Sequence, residues 1–141
     1  MDYYNYLDKY LYLLPKSEEK QLVHADFDPA NILVLKANGH WQISAVLDWE
    51  FAFSGSILWD VANMLRYAHH MPAIFQQSFL AGLKDGGVSL SKNWKITVHL
   101  LNLLALLECL KRANSKTAPI QCADSQALIL YILSDLEKID N

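Results

Sequence analysis

The dipeptide Asn38-Gly39 constrains the fold of this chain most strongly, because it joins two apolar runs. Asn-Gly is the strongest short signal for a two-residue β-hairpin turn, since both central residues of that turn adopt positive φ. The run before it, 31–35, is β-branched and apolar, and the run after it, 41–47, begins with apolar and polar residues in alternation. The sequence therefore predicts an antiparallel pair of strands in the first half of the chain.

The predicted hairpin brings distant polar residues together. Counting back from a two-residue turn places Asn31 opposite Val46, and Asp48 follows two residues later. A shorter apolar run, Gln21 to His24, predicts a strand that enters the loop containing Asp26. We therefore expect these polar side chains to meet at the open end of the hairpin.

The chain after the hairpin has the spacing of helices. Ile57, Val61 and Met64 begin an apolar stripe with helical periodicity. Ser91 has the side chain of an N-cap for a long helix, and a final helix is predicted from about Asp124 to Ile139. The expected fold is α+β and mostly α, with four or five helices packed around a small β-hairpin.

Charge and composition exclude several classes of function. Lys and Arg number 12 against 15 Asp and Glu, which gives a net charge of −3, and 52% of the residues are hydrophobic. A nucleic-acid-binding domain normally carries a basic stripe, and a peripheral membrane protein a polybasic patch. The most apolar stretch, 100–110, is shorter than the roughly 20 residues of a membrane span. We therefore expect a globular domain with no nucleic-acid partner and no membrane partner.

The cysteines and the start of the chain indicate a location. Cys109 and Cys122 have neither the spacing of a zinc site nor the pattern of a disulfide framework. The first residues lack the basic segment and apolar run of a signal peptide. Free thiols in the reducing cytoplasm are the expectation.

The segment His24-Ala25-Asp26-Phe27-Asp28-Pro29-Ala30-Asn31 carries the chemistry. With Asp48 it brings three oxygen-bearing side chains, those of Asp26, Asn31 and Asp48, to one place. Oxygen ligands suit a hard cation such as Mg²⁺, which keeps several waters. Phosphoryl transfer needs a metal to neutralise phosphate charge and a carboxylate to place the acceptor hydroxyl. The pattern therefore predicts a phosphotransferase.

His-x-Asp-x-x-x-x-Asn followed by a hairpin and an Asp resembles the catalytic and metal-binding loops of the protein-kinase-like fold. More narrowly, the chain resembles the aminoglycoside phosphotransferase and choline kinase family in the segments LVHADFDPANILV and AVLDWEFAFSGSILWDVA. Gly55 and Asp60 add the Gly-x-x-x-x-Asp spacing of that family. The resemblance covers most of the chain and implies the C-terminal lobe of a kinase-like fold.

The resemblance implies Mg²⁺ and ATP, or another nucleoside triphosphate, as cofactors and a small molecule with a hydroxyl group as the acceptor. Asp26 matches the catalytic base, and Asn31 matches a metal ligand. Asp48 matches the principal metal ligand, which connects Mg²⁺ to the nucleotide phosphates. Glu50 is a further candidate for the metal shell.

Two residues match the structural support of the catalytic loop in that family. His24 matches the loop histidine, and Asp60 matches the helix residue that holds the loop through its backbone. Ala25 departs from the family, which commonly has Gly at this position. A histidine that anchors the loop is a better interpretation of His24 than a metal ligand.

The expected organisation is a single domain over residues 1–141. Residues 1–20 form a leading helix and linker, 21–56 the catalytic and metal-binding loops on a hairpin, and 57–141 a helical subdomain. All five glycines follow His24, so no glycine-rich phosphate loop precedes it. The N-terminal nucleotide lobe of the resembled family is thus expected to be absent. We expect weak or no catalysis by this chain alone, and an exposed apolar face that an N-terminal lobe or a second chain covers.

Two alternatives stay open. The first is a non-catalytic remnant or binding module of the same fold, which the missing glycine-rich loop favours. The second is a phosphatase of the haloacid dehalogenase type, because Asp26-Phe27-Asp28 resembles its Asp-x-Asp start. That motif has Thr or Val where Ala30 stands, and its fold has a parallel sheet fed by alternating helices.

Overall fold

A computed structural model of the chain describes residues 3–113 and 116–140. Five α-helices account for most of the described residues: α1 Tyr3–Tyr10, α2 Leu58–Leu65, α3 Ala73–Asp85, α4 Trp94–Arg112 and α5 Pro119–Asp140. Four strands complete them: β1 Gln21–Val23, β2 Ile32–Ala37, β3 His40–Val46 and β4 Phe53–Gly55. The protein is therefore mixed and mostly helical, as predicted. Residues 1 and 2 of the predicted leading segment lie outside the described residues.

The chain divides into two compact units. One, here called the helical unit, combines Met1–Leu14 with Lys92–Asn141. The other, here called the hairpin unit, is Pro15–Ser91 and contains both sheets. The single domain and its divisions at residues 20 and 56 stay a prediction.

Apolar packing builds the helical unit. Helices α4 and α5 pack on each other, and α1 contacts α4. Its core consists of buried side chains from these three helices: Tyr10, Ile96, Leu100, Leu103, Leu106, Leu128, Ile129, Ile132, Leu133 and Leu136. Complete burial of one such aliphatic side chain contributes about 1.5–3 kcal/mol. Apolar burial is therefore the main source of stability in this unit.

The predicted hairpin is present, with one change of register. Asn38 and Gly39 both have positive φ, 51° and 80°, as the two-residue turn requires. Val46 pairs with Ile32, so the predicted pairing of Val46 with Asn31 is wrong by one residue. The register shifts between Leu33 and Val34, because β3 carries an extra residue there. Such a bulge has no local signature in this sequence.

A second sheet accompanies the hairpin, so the prediction of a single hairpin was incomplete. The predicted strand at Gln21–His24 forms as β1, and it pairs antiparallel with β4. Val23 lies opposite Phe53, and Gln21 lies opposite Gly55. A strand as short as β4 shows no periodicity in sequence, which is why it was missed. This pairing brings the residues after β1 next to the start of α2.

Two helix starts differ from the prediction. Helix α4 begins at Trp94 with Asn93 at the N-cap position, rather than after Ser91. Helix α5 begins at Pro119 instead of Asp124, because proline fits the first position of a helix. Among the described residues, no helix combines the length with the apolarity that a membrane span requires.

Candidate active site

The loop between β1 and β2 holds the predicted base, Asp26, in contact with Asn31. The side-chain nitrogen of Asn31 donates to the Asp26 carboxylate at 3.0 Å and to the Asp26 carbonyl at 2.8 Å. The Asp28 amide donates to the same carbonyl, at 3.1 Å. Because the Asn31 nitrogen is directed at Asp26, the amide oxygen of Asn31 points away from it. The predicted base and the predicted metal ligand are thus adjacent.

His24 links this loop to the end of the hairpin. Its side chain is 2% exposed and lies against Trp49, with the ring centroids 4.5 Å apart. A carbonyl can only accept, so His24 Nε2 carries the proton that is donated to Leu47 O at 2.8 Å. Nδ1 is then an acceptor, and the Asp26 amide donates to it at 3.2 Å. Both ring nitrogens are used within the protein, as expected for a histidine that anchors the loop.

Leu47 brings Asp48 to the same place. The Leu47 amide donates to Asn31 O at 2.8 Å, while its carbonyl accepts from His24. Asp48 is the next residue, exposed and in the left-handed region, with φ 68° and ψ 55°. The bulge in β3 brings Asn31 one residue closer to Asp48 than the predicted register does. The backbone pairing thus brings Asn31 near Asp48 as predicted, although the predicted strand register was wrong by one residue.

Asp60, in the first turn of α2, holds the backbone of the loop. Its two carboxylate oxygens accept the amides of His24, at 2.8 Å, and of Ala25, at 2.9 Å. Hydrogen bonds to an ionised group contribute about 1.5–3 kcal/mol, roughly twice a neutral one. The contact joins residues that are far apart in sequence, so it ties the loop to the helix.

The backbone of Ala25 adopts a conformation that favours glycine. Its φ is +72°, in the left-handed region where a Cβ costs about 1–2 kcal/mol. Two hydrogen bonds hold its own backbone there: the Ala25 amide donates to Asp60 at 2.9 Å, and Asn63 Nδ2 donates to Ala25 O at 2.8 Å. The amide of the preceding residue, His24, also donates to Asp60. These contacts thus hold Ala25 in a conformation that an alanine without such support would avoid.

Sequence reasoning missed Asn63 and Arg66. Arg66 Nη2 donates to Asn63 Oδ1 at 2.6 Å. Asp60, Asn63 and Arg66 follow each other at intervals of three, which puts them on one side of a helix. This spacing could have indicated that Asn63 and Arg66 lie on the same side of the helix as Asp60. It indicates contact with the loop only when Asp60 is known to bind the loop backbone.

A cavity of about 270 Å³ opens beside Asp26 within the hairpin unit. Its polar lining includes Asp26, Asp28 and Arg66, and its apolar lining includes Tyr67 and Phe75. The volume suits a small molecule, and the mixture of apolar walls with a few polar groups is typical of ligand sites. Asp26 is part of the wall of this cavity.

The donor set of this loop fits Mg²⁺ in chemistry. Mg²⁺ is usually held by one or two carboxylates together with phosphates and waters. Asp48 supplies an exposed carboxylate as one candidate ligand. The amide oxygen of Asn31, which points away from Asp26, is a second candidate ligand. Glu50 lies exposed in the short 3₁₀ turn Trp49–Phe51. Within the part of the chain that the structure describes, no group of three His, Cys, Asp or Glu side chains converges as a metal cage.

The dehalogenase alternative needs a parallel sheet. Among the described residues, both sheets are antiparallel pairs of strands. The required architecture is therefore not found around Asp26.

The comparison with protein families covers the region that contains the candidate site. The model of the phosphotransferase enzyme family matches residues 4–94, which is more than half of the chain. The match includes the loop, both sheets, α2 and α3, and with them every predicted site residue. No curated protein matches the chain.

Proposed function

The chain belongs to the phosphotransferase enzyme family, and from this premise we propose that it transfers the γ-phosphate of ATP, or of another nucleoside triphosphate, to a hydroxyl of a small molecule. The hairpin unit then represents the catalytic part of a kinase-like C-terminal lobe. One observation carries the proposal. Asn31 is hydrogen-bonded to the Asp26 carboxylate, while its backbone carbonyl holds Leu47 directly before Asp48.

Asp26 is the proposed catalytic base. Asn31 orients one carboxylate oxygen, and the second oxygen is the one proposed to meet the acceptor. That second oxygen can accept the proton of an acceptor hydroxyl bound in the adjacent cavity. General base catalysis contributes typically 10²–10⁴ in rate, so we expect the loss of this carboxylate to abolish useful turnover.

Asn31 and Asp48 are the proposed holders of Mg²⁺, with Glu50 as a further candidate. When bound, Mg²⁺ neutralises phosphate charge and positions the γ-phosphate. The left-handed backbone of Asp48 and the hydrogen bonds of the Leu47 backbone fix the main chain from which the Asp48 carboxylate extends. His24 and Asp60 act on the reaction only through the loop that they hold.

The remaining nucleotide contacts are proposed to come from an N-terminal lobe or a second chain. The two sheets of the hairpin unit expose large apolar side chains, among them Leu22, Trp41 and Ile43, at 69%, 70% and 68%. Contiguous exposed apolar surface commonly marks an interaction site. We therefore expect the isolated chain to be weakly active or inactive.

The proposed location is the cytoplasm, where ATP is available. Cys109 and Cys122 are both free thiols in the structure. A reducing compartment keeps such thiols unpaired.

A thermal melt of the purified chain tests the proposal, with and without Mg²⁺ and ATP. A ligand that binds only the native state stabilises it by about 2.7 kcal/mol at a hundredfold excess over Kd. We expect a rise in Tm that needs both Mg²⁺ and ATP and that is lost in Asp48→Ala. Asp85→Ala is the matched control, since Asp85 is an exposed carboxylate at the end of α3.

A rise in Tm that persists in Asp48→Ala would contradict the proposed metal ligand. A cooperative melt with no shift would contradict nucleotide binding by this chain and would favour the non-catalytic binding module. Fusion to a family nucleotide lobe separates these readings, because turnover that appears in the fusion should disappear with Asp26→Asn. Full turnover with Asn at position 26 would exclude Asp26 as the base.

A further inference from the structure

The backbone at Ala25 is the least favourable point of the loop. Its φ of +72° is a conformation that glycine adopts freely and alanine does not. Ala25 directly precedes the proposed base, so its backbone decides where Asp26 stands. Something outside the loop must therefore hold this residue in place.

Asn63 holds the carbonyl side of Ala25. Its Nδ2 donates to Ala25 O at 2.8 Å, from one turn further along α2 than Asp60. Among the described residues, the Asp60 carboxylate accepts from two backbone amides, those of His24 and Ala25. Asn63 thus holds the carbonyl of the Ala25–Asp26 peptide, while the N–H of the same peptide donates to His24 Nδ1 at 3.2 Å.

Arg66 fixes the orientation of the Asn63 amide. An asparagine side chain can present either its oxygen or its nitrogen to a neighbour. Arg66 Nη2 donates to Asn63 Oδ1 at 2.6 Å, which directs the nitrogen toward Ala25. Arg66 also lines the cavity beside Asp26. A hydrogen-bonded path therefore runs from the wall of the cavity to the peptide that carries the base.

We infer that Asn63 is a positioning residue for Asp26 and that Arg66 orients it. The inference rests on the proposed function for its catalytic meaning, because Asp26 is the group being placed. Its consequence is that loss of the Asn63 donor loosens the contact of Asp26 with Asn31. Replacement of Ala25 by glycine should remove the need for that donor, since glycine tolerates the same φ without support.

Nuclear magnetic resonance of the full chain tests this inference without nucleotide. Asn63→Asp keeps the shape of the side chain and can still pair with Arg66, but it has no donor for Ala25 O. We expect faster exchange of the Ala25 and Asp26 amides, by roughly two- to tenfold for one lost hydrogen bond. We also expect the side-chain NH₂ signals of Asn31 to move. Asn63→Ala is the second variant, and Gln77→Ala, an exposed amide on α3, is the matched control.

Rescue separates positioning from a general structural role. Ala25→Gly, combined with Asn63→Asp, should restore the wild-type Asn31 signals and amide exchange. Unchanged Asn31 signals in both Asn63 variants would overturn the inference, and so would changes that Ala25→Gly does not reverse. Loss of folding in both variants without recovery by Ala25→Gly would overturn it as well. Because no step uses Mg²⁺ or ATP, a failure here is distinct from a failure of nucleotide binding.

Discussion

The helical unit and the hairpin unit are held together in different ways. The buried core cluster of the helical unit consists of apolar side chains from α1, α4 and α5. In the hairpin unit, the largest completely buried side chains include the polar His24 and Ser56 beside Val23 and Val61. The first unit thus depends on apolar area, which is not directional. The loop of the second unit depends in addition on hydrogen bonds, whose geometry fixes the position of each group.

Exposure of apolar side chains shows the same contrast. Leu100 in the helical unit is fully buried, whereas Trp41 in the hairpin unit is 70% exposed. Much of the apolar surface in the sheets therefore contributes little to folding. The shape of the site thus depends on a few polar contacts, and substitutions in the two units should destabilise the protein by different mechanisms.

Leu100→Ala should have the largest effect on stability. Leu100 is 0% exposed in the core of the helical unit, and truncation there leaves a cavity. We expect a loss of about 2–5 kcal/mol in the free energy of unfolding, measured by urea denaturation with circular dichroism. Leu107→Ala, at a 39% exposed position of the same helix, is the control and should cost far less. Equal losses in both variants would mean that burial does not dominate this unit.

Asp60→Asn should come next and should act on the hairpin unit. The substitution replaces a charged acceptor of two backbone amides with an amide that can offer only one oxygen. We expect a loss of about 1.5–3 kcal/mol and faster exchange of the His24 and Ala25 amides. Asp85→Asn, an exposed change in the same unit, is the control. Wild-type exchange at both amides would show that Asp60 does not hold the loop.

Acidification should weaken the helical unit through His99 and Asp135. Burial lowers the pKa of His99 below its usual 6.5, although Asp135 opposes this by accepting from His99 at 2.9 Å. Burial raises the pKa of Asp135, but hydrogen bonds from Lys95 and His99 outweigh it and leave the pKa below 3.8.

The sign of the pH dependence follows from both shifts. Below pH 6.5 the unfolded chain protonates His99 more readily than the folded chain, so stability falls as pH decreases toward the folded pKa. Asp135 adds a further loss below pH 3.8. His99→Gln keeps a donor for Asp135 and does not titrate, so its Tm should fall less than that of wild type between pH 7.5 and pH 5. An equal fall would exclude His99 as a source of the acid sensitivity.

Trp41→Ala should have the smallest effect. The side chain is exposed, and its described interaction is with Lys36, whose ammonium lies 6.0 Å from the ring centroid. An exposed cation–π contact contributes about 0.5–1 kcal/mol, so we expect a loss below about 1 kcal/mol in urea denaturation. A loss as large as that of Leu100→Ala would remove the contrast between the two units.

Much of the site was predictable because its parts are local. The turn at Asn38-Gly39 requires positive φ at two adjacent residues, and Asn and Gly are the residues that best tolerate it. The order of Asp26, Asn31 and Asp48 around the hairpin follows from the turn. Membership of the phosphotransferase family was likewise predicted from the residues of the loop and is confirmed by the match over 4–94.

The rest could not be predicted because it depends on residues that are distant in sequence. The pairing of β1 with β4 and the contact of Asn63 with Ala25 arise only when the loop and α2 meet in space. The bulge in β3 has no signature in neighbouring residues. The roles of the predicted site residues in catalysis stay predictions.

The order of residues along the chain is sufficient to establish the hairpin turn, the mostly helical composition, the family and the polar residues of the loop. Packing in three dimensions sets the register of the strands, the cavity beside Asp26 and the support of a strained Ala25 by Asp60 and Asn63. The difference arises because these interactions act over different separations in sequence. Backbone preferences and periodicity act over a few residues, whereas hydrogen bonds across many residues depend on how whole elements pack.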